Sequence, residues 1–372
     1  MFSSFYCYLQ ERVPIFRKLT HLRVEGWGNS AIDKQFEALR NQADLTVEKL
    51  DKTYFYLMKR IAEEIHALTG AFEIGTSHGG RPRILDMCMA PGGFLEVAMK
   101  HNPRAQARAI TLSTRDGGYA VRTTASPNIT ITFGDITMLA ADMGVESIPS
   151  GHPDAENFLP REFHPEDIFD IAICDGQVLR THVRNPWREP REATRLSLTQ
   201  LVIALEHIRP GGTILFLLHK IESWKSVTLL RTVSKFARLQ VYKPRASHRK
   251  RSSYYLVASD VQPAHEDAVR VVQEFKQLWK SATFDTEEEY RRVARSQEPD
   301  VEEVLADFGP ALMKLGEQVW ATQAEALEQA LLKVRKSSAN DFPVSLLTLW
   351  VVIYVYVNFA LSTSPWIITI VS

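Results

Sequence analysis

The chain has 372 residues, 45% of them apolar, with Lys+Arg and Asp+Glu balanced at 44 each. That length suits one large domain or two of ordinary size with a sizeable core, and the zero net charge excludes a surface that is basic throughout, so any nucleic-acid signal is local. Three widely spaced cysteines, Cys7, Cys88 and Cys174, exclude a disulfide framework and a cysteine-based zinc site, and suit a reducing compartment such as cytoplasm or nucleus.

Residues 1–80 read as a helical N-terminal extension. Met1 to Leu9 is too short for a secretory signal, and Glu11 and Arg12 interrupt it. Ile32, Phe36 and Leu39, then Val47, Leu50, Tyr54, Leu57, Ile61 and Ile65 recur near helical spacing, which predicts two helices packed on the following domain. Gly70 to Pro82 reads as a loop.

From Arg83 the pattern alternates. Arg83 to Met87 reads as a buried strand and Glu96 to Lys100 as helix, with Ala90-Pro91-Gly92-Gly93 as a tight turn between them. Glycine there lets a ligand approach the main chain, and the free N–H groups of the helix start face that ligand. No G-x-G-x-x-G is present and no Gly-Lys-Ser/Thr follows, so the turn is neither a dinucleotide fingerprint nor a P-loop. Further strands are expected at Ala107 to Leu112, Ile129 to Phe133, Ile168 to Cys174, Thr213 to Leu218, Gln240 to Lys243 and Ser253 to Ser259. Helices are expected at Leu196 to Ile208 and Val227 to Leu239, and Met143 to Asp167 reads as a long surface insertion. The alternation predicts an α/β fold: a doubly wound, mostly parallel sheet over residues 81–261 with helices on both faces and an antiparallel pair at the end.

Residues 262–340 return to helix. Val269, Val272, Phe275, Leu278 and Trp279 form one apolar stripe, and Leu312, Leu315, Val319, Ala324, Leu327, Leu331 and Val334 another. Residues 341–372 form an apolar tail without charge after Asp341. It reads either as a C-terminal membrane anchor, with Lys333, Arg335 and Lys336 before it, or as sequence beyond the true end of the coding region.

Asp135, Asp175 and Lys220 each follow an expected strand, where a doubly wound sheet lines its cleft. Either aspartate serves equally as a turn cap. A lysine after the apolar run Ile214 to Leu218 is expected to lose hydration, which lowers its pKa and suits a general base; alternatively it snorkels to solvent. Two stretches are basic: Arg180, His182, Arg184, Arg188, Arg191 and Arg195 around Trp187, and Lys243, Arg245, His248, Arg249, Lys250 and Arg251. Such composition suits an RNA strand, phosphates taking the charge and a base stacking on Trp187, or a solvated loop face.

These pieces together resemble the FtsJ-like ribose 2′-O-methyltransferases. The matching stretches are Leu85 to Phe94, Gly134-Asp135-Ile136, Cys174-Asp175-Gly176, Pro210 to Thr213 leading to Lys220, and Lys243-Pro244 before Ser252 to Val257. The spacing and the Arg-Ser-Ser-Tyr-Tyr-Leu-Val ending are most similar to a fungal branch of FtsJ-domain proteins. The resemblance covers about half the chain, Arg83 to Asp260, and implies a seven-stranded Rossmann-like methyltransferase sheet, S-adenosylmethionine as cofactor, no metal, and RNA as partner. It implies cofactor binding by Asp86, Gly92, Gly93, Phe94, Thr111, Asp135 and Asp175, with Asp135 at the adenine and Asp175 between cofactor and substrate.

The family's catalytic set is Lys-Asp-Lys-Glu. Asp175 and Lys220 match it, Tyr56 stands at the first lysine, and Ser253 at the glutamate. Thr111 stands where an acidic residue is expected. Lys59 is the expected substitute for the first lysine, and Glu222 the nearest for the glutamate. Three functions follow: an RNA ribose 2′-O-methyltransferase, favoured by the basic stretches; a weakly active or inactive methyltransferase-fold protein that binds cofactor or RNA; and a methyltransferase for a small molecule or protein.

Overall fold

The computed structural model describes residues 2–27, 47–75, 80–245 and 248–338. The periodic stretch through Ile32, Phe36 and Leu39 and the tail at 341–372 lie outside the described residues. Helices α1 (Phe2–Arg12) and α2 (Pro14–Trp27) open the chain, and α3 (Val47–Thr69) precedes the sheet.

Strands β1 (Arg83–Met87), β2 (Gln106–Thr111), β3 (Ile129–Phe133), β4 (Phe169–Cys174), β5 (Ile208–His219), β6 (Arg238–Tyr242) and β7 (Ser253–Val261) form one sheet of seven strands, in the order β3-β2-β1-β4-β5-β7-β6. The first five run parallel. Strand β7 is antiparallel to both β5 and β6, so the expected antiparallel pair exists, with β7 inserted inside it and β6 at the edge. Helices α4 (Gly93–His101), α5 (Glu192–His207) and α6 (Trp224–Val233) connect strands. Strand β5 begins earlier than expected and runs through Pro210-Gly211-Gly212, and α6 ends earlier than Leu239.

The alternation of side chains sorts two cores. Ile84, Ile171, Ile173, Leu215, Leu217, Tyr255 and Val257 face α3 and α4, meeting Ile61, Ile65, Leu95 and Ala98. Leu85, Ala172, Phe216 and Leu256 face the other way, onto Leu201, Val227 and Leu230 of α5 and α6. Burial on both faces explains why the parallel strands read as continuous apolar runs. The stretch from Met143 to Asp167 lies largely at the surface, as expected, but is anchored: Met143, Val145 and Phe163 join the second core, and the Asp142 carboxylate accepts from the N–H groups of Glu162 and Phe163, pinning the segment's return.

Of the C-terminal helices α7 (Glu266–Phe284), α8 (Glu287–Ser296) and α9 (Val301–Ser338), α7 and α9 add to that same core. Val272 and Trp279 of the first stripe are buried, whereas Val269 is exposed. Helix α9 packs on α2, with Phe16 against Trp320 at 5.2 Å. Glu222 sits at the centre of this packing. It is ion-paired with Arg23 at 2.7 Å and accepts from the Trp320 indole at 3.1 Å, while Arg23 also reaches Gln323. Glu222 is thereby committed to joining the two ends of the chain, not to replacing a catalytic glutamate.

Removing one partner of a buried ion pair costs more than the pair contributes, because the other charge stays desolvated. Glu222→Ala strands Arg23 and the Trp320 N–H, and is expected to lower stability to chemical denaturation by about 3 kcal/mol. A change within about 0.5 kcal/mol, ordinary for a surface residue, would show that apolar packing alone holds α2 and α9.

Candidate active site

A cavity of about 170 Å³ opens at the carboxyl ends of β1 to β4. The turn after β1 forms its floor. Cys88, in a left-handed conformation (φ 66°), and Met89 both donate to the Ile110 carbonyl, and the Ala90 N–H donates to the Thr111 hydroxyl at 3.1 Å. Thr111 is buried and serves to hold the turn, which accounts for a hydroxyl where the resemblance predicts an acid. Gly92 has φ 101°, and a Cβ there would stand 1.8 Å from the Thr123 hydroxyl. Gly92 therefore shapes the turn without lining the cavity. Gly93 does line it, and its other side faces α3, where a Cβ would stand 2.5 Å from the Phe55 carbonyl. Phe94 lines the cavity and packs on Tyr255 at 5.4 Å.

Two carboxyl groups share this apolar space. Asp86 is 2% exposed, its Oδ2 has no hydrogen-bond partner among the described residues, and burial together with Asp175 pushes its pKa well above the carboxylate range. Asp175 accepts from the Tyr255 hydroxyl at 2.9 Å; burial raises it to about 7 even though that hydrogen bond pulls the other way. Tyr255, which the sequence pattern marks only as a strand residue, is thus the partner that holds Asp175.

Asp135 does line the cavity, but within a network of its own. Its Oδ1 accepts from the Thr137 N–H and hydroxyl, and its Oδ2 meets Arg188 at 2.5 Å and His182 at 3.5 Å. Burial pushes this carboxyl up, but Arg188 more than offsets that and holds it below the usual range. A carboxylate offers about four acceptor positions; the Thr137 N–H and hydroxyl and the Arg188 guanidinium take three of them, which leaves one for a further donor such as an adenine amino group. Asp135, His182 and Glu192 bring ligand-type atoms within 4.8 Å of one another. The Arg188 guanidinium bonds both carboxylates and already supplies the cation there.

Several expectations are corrected. Lys220 is exposed, not desolvated; it adopts φ 49° just past β5 and is absent from the cavity wall. The buried lysine is Lys243, whose Nζ donates to the carbonyls of Arg251 and Ser253 and whose pKa burial lowers to about 7. Lys59 points to Glu96, 3.9 Å away, and over the Phe55 ring. Tyr56 is exposed, and Tyr54 and Met58 are the α3 residues on the cavity. Ser253 is buried opposite His219, and among the described residues its hydroxyl has no partner. The first basic stretch is largely internal: Arg188 and Arg195 are buried with Glu192, Arg191 pairs with Glu287, Arg184 with Glu189, and the Trp187 indole donates to Asp154. In the second, Arg245, Arg249 and Arg251 are exposed, and His248 and Arg251 line the cavity.

The residues fit S-adenosylmethionine, a molecule with two cationic groups, a carboxylate and a nucleoside. Asp86, with its unpartnered buried oxygen, and Asp175 suit the cations; the N–H groups at the start of α4 suit the carboxylate; Tyr54 and Tyr119 offer ring surfaces.

Residues 59–261 match the family model described as FtsJ-like methyltransferase. No curated protein sequence matches the chain. Solved structures aligned with it include an O-methyltransferase family protein from Burkholderia thailandensis, at 11% identity over 66% of this chain and 71% of that one, TM-score 0.32. Others are CalO1, a methyltransferase in calicheamicin biosynthesis, in its S-adenosylhomocysteine-bound form (14% identity, 68% and 70% covered, TM-score 0.33), and human methyltransferase-like protein 13 with S-adenosylhomocysteine (15% identity, 68% and 95% covered, TM-score 0.29). Alignments at this level say nothing of function, and the matched segment, more than half of the chain, is what assigns it.

A cation favours the ionised form of Asp175, so binding below its pKa requires loss of a proton. Affinity for S-adenosylmethionine, measured by calorimetry, is expected to rise with pH up to about 7, by as much as tenfold per unit. Asp175→Asn should remove that component while leaving the titration of the ligand's own amine. Superimposable profiles for wild type and variant would exclude Asp175 from the cofactor's charge.

Proposed function

The chain belongs to the FtsJ-like methyltransferase family, and from that premise we propose that it methylates the ribose 2′-hydroxyl of RNA. It is an S-adenosylmethionine-dependent methyltransferase; the proposal concerns the acceptor and the residues that handle it. When bound, the cofactor supplies an electrophilic methyl group, so what the protein must add is alignment and removal of one hydroxyl proton.

The observation that carries the RNA reading is the position of Arg251. It lines the cavity and also ends the run Arg249-Lys250-Arg251, with Lys333 of α9 close enough to depress the Lys250 pKa alongside burial and Arg249. A cavity whose mouth continues into a basic ridge suits an acceptor carried on a phosphate chain. Asp175, raised to about 7 in the cofactor-free protein, is held by the cofactor's cation in the ionised form that can accept a proton. Tyr255 engages its Oδ1, which leaves Oδ2 to take the hydroxyl proton. Lys220, exposed at the end of β5, acts as a hydrogen-bond donor to the RNA rather than as a desolvated base.

Asp175→Asn is expected to reduce transfer of labelled methyl groups to RNA by about 10²- to 10⁴-fold. Lys220→Ala should slow transfer without changing cofactor affinity, and Lys220→Arg should retain much of the activity, since it keeps a donor there. Full activity in Lys220→Ala would remove Lys220 from the mechanism. A wild type that binds cofactor yet methylates no RNA would favour the inactive, cofactor-binding alternative.

Reversing Arg249, Lys250 and Arg251 to Glu should weaken RNA binding and flatten its dependence on salt, by roughly 0.7 in log–log slope for each phosphate that is no longer neutralised. An unchanged slope would make the ridge an ordinary solvated face.

A further inference from the structure

The sheet order divides the cavity. The glycine turn and the ends of β2 and β3 lie on one side of β4, which Asp175 directly follows, and the connection between β6 and β7 lies on the other. Only that connection brings His248 and Arg251 to the wall. What lies beyond Asp175 from the glycine turn is the acceptor's side.

His248 is 6% exposed, and its Nδ1 has no hydrogen-bond partner among the described residues. Buried polar atoms without partners are rare in folded proteins. The segment that carries it is firmly held. The Lys243 ammonium ties down the carbonyls of Arg251 and Ser253, Gln323 of α9 donates to the Lys250 carbonyl at 3.1 Å, and the Arg251 N–H returns to the His248 carbonyl at 3.0 Å. Burial, reinforced by Arg251, Lys243 and His219, lowers the imidazole to about 3, so it is neutral at physiological pH. A neutral imidazole carries one N–H and one lone pair, which suits a hydroxyl better than an anion. Arg251 beside it suits the anion.

We propose that His248 binds the methyl-accepting hydroxyl, with Arg251 on the adjoining phosphate, so that the pair recognises a ribonucleotide by the group that DNA lacks. This rests on the RNA reading above and assigns a residue to its acceptor subsite, on the strand connection next to Ser253, where the family's glutamate is missing.

The test uses the full chain with S-adenosylhomocysteine and a short RNA oligonucleotide, against the DNA of the same sequence. Wild type is expected to prefer RNA. His248→Leu should reduce that preference by about three- to tenfold, the effect of one hydrogen bond, with cofactor affinity unchanged, and His248→Gln should keep most of it. An undiminished preference in His248→Leu overturns the proposal and leaves the RNA reading standing. Absence of RNA binding in the wild type overturns both. If His248→Leu fails to fold, histidine-labelled wild type decides, the His248 signal being identified through His248→Gln. That signal should shift with RNA and not with DNA, and a signal that stays in place while RNA saturates the protein overturns the assignment.

Discussion

Two carboxyl groups enclosed by apolar side chains set the character of this protein. Asp86 and Asp175 lie close enough to raise one another's cost of ionisation, and among the described residues the only polar group recorded on Asp175 is the Tyr255 hydroxyl. Burying a charge without a counter-ion is among the most expensive things a fold can do. The sheet tolerates it because β1, β4 and β7 present these residues from a core that is otherwise well packed on both faces. Both carboxyls answer that cost by holding their protons to higher pH, Asp86 well above the carboxylate range and Asp175 up to about 7.

The contrast with Asp135 is instructive. It too sits at a strand end, half-buried, but Arg188 neutralises it, and Arg188 in turn satisfies Glu192. One cavity therefore holds a compensated acidic cluster and an uncompensated one. The compensated cluster braces the wall where α5 begins, and among the described residues the uncompensated pair is left without a counter-ion.

Much of this was readable from residue order. Alternation and apolar runs located all seven strands, and the glycine turn and Asp175 fell where the cleft requires them. The failures have a common cause, which is distance along the chain. Lys220 was expected to be buried because five apolar residues precede it, but the strand has already emerged at His219. Lys243 follows an edge strand and reads as exposed; it is covered by carbonyls supplied eight and ten residues later. The partners of Glu222 lie 199 and 98 residues away, and Arg188 finds Asp135 across 53. No local pattern encodes such pairs, so guanidinium groups that compose a basic stretch on paper prove to be internal counter-ions.

The joining of the chain's two ends has a consequence for how the molecule is made. Phe16 rests on Trp320, Lys18 pairs with Glu328 across 310 residues, and Arg23 reaches Gln323 across 300. During synthesis the first helices emerge early, yet the surface they cover on α9 is among the last of the described residues to be produced. Contacts of such long sequence separation form late because their loop-closure entropy is spent before any contact rewards it. Until then Phe16 has the Tyr6 ring of α1 but not Trp320 against it, and the apolar side of α2 is what a nascent-chain chaperone would meet. The amino-terminal helices can thus meet Trp224 and Glu222, through Phe5 and Arg23, before α9 exists, but they complete their docking only on a chain that has been translated through α9.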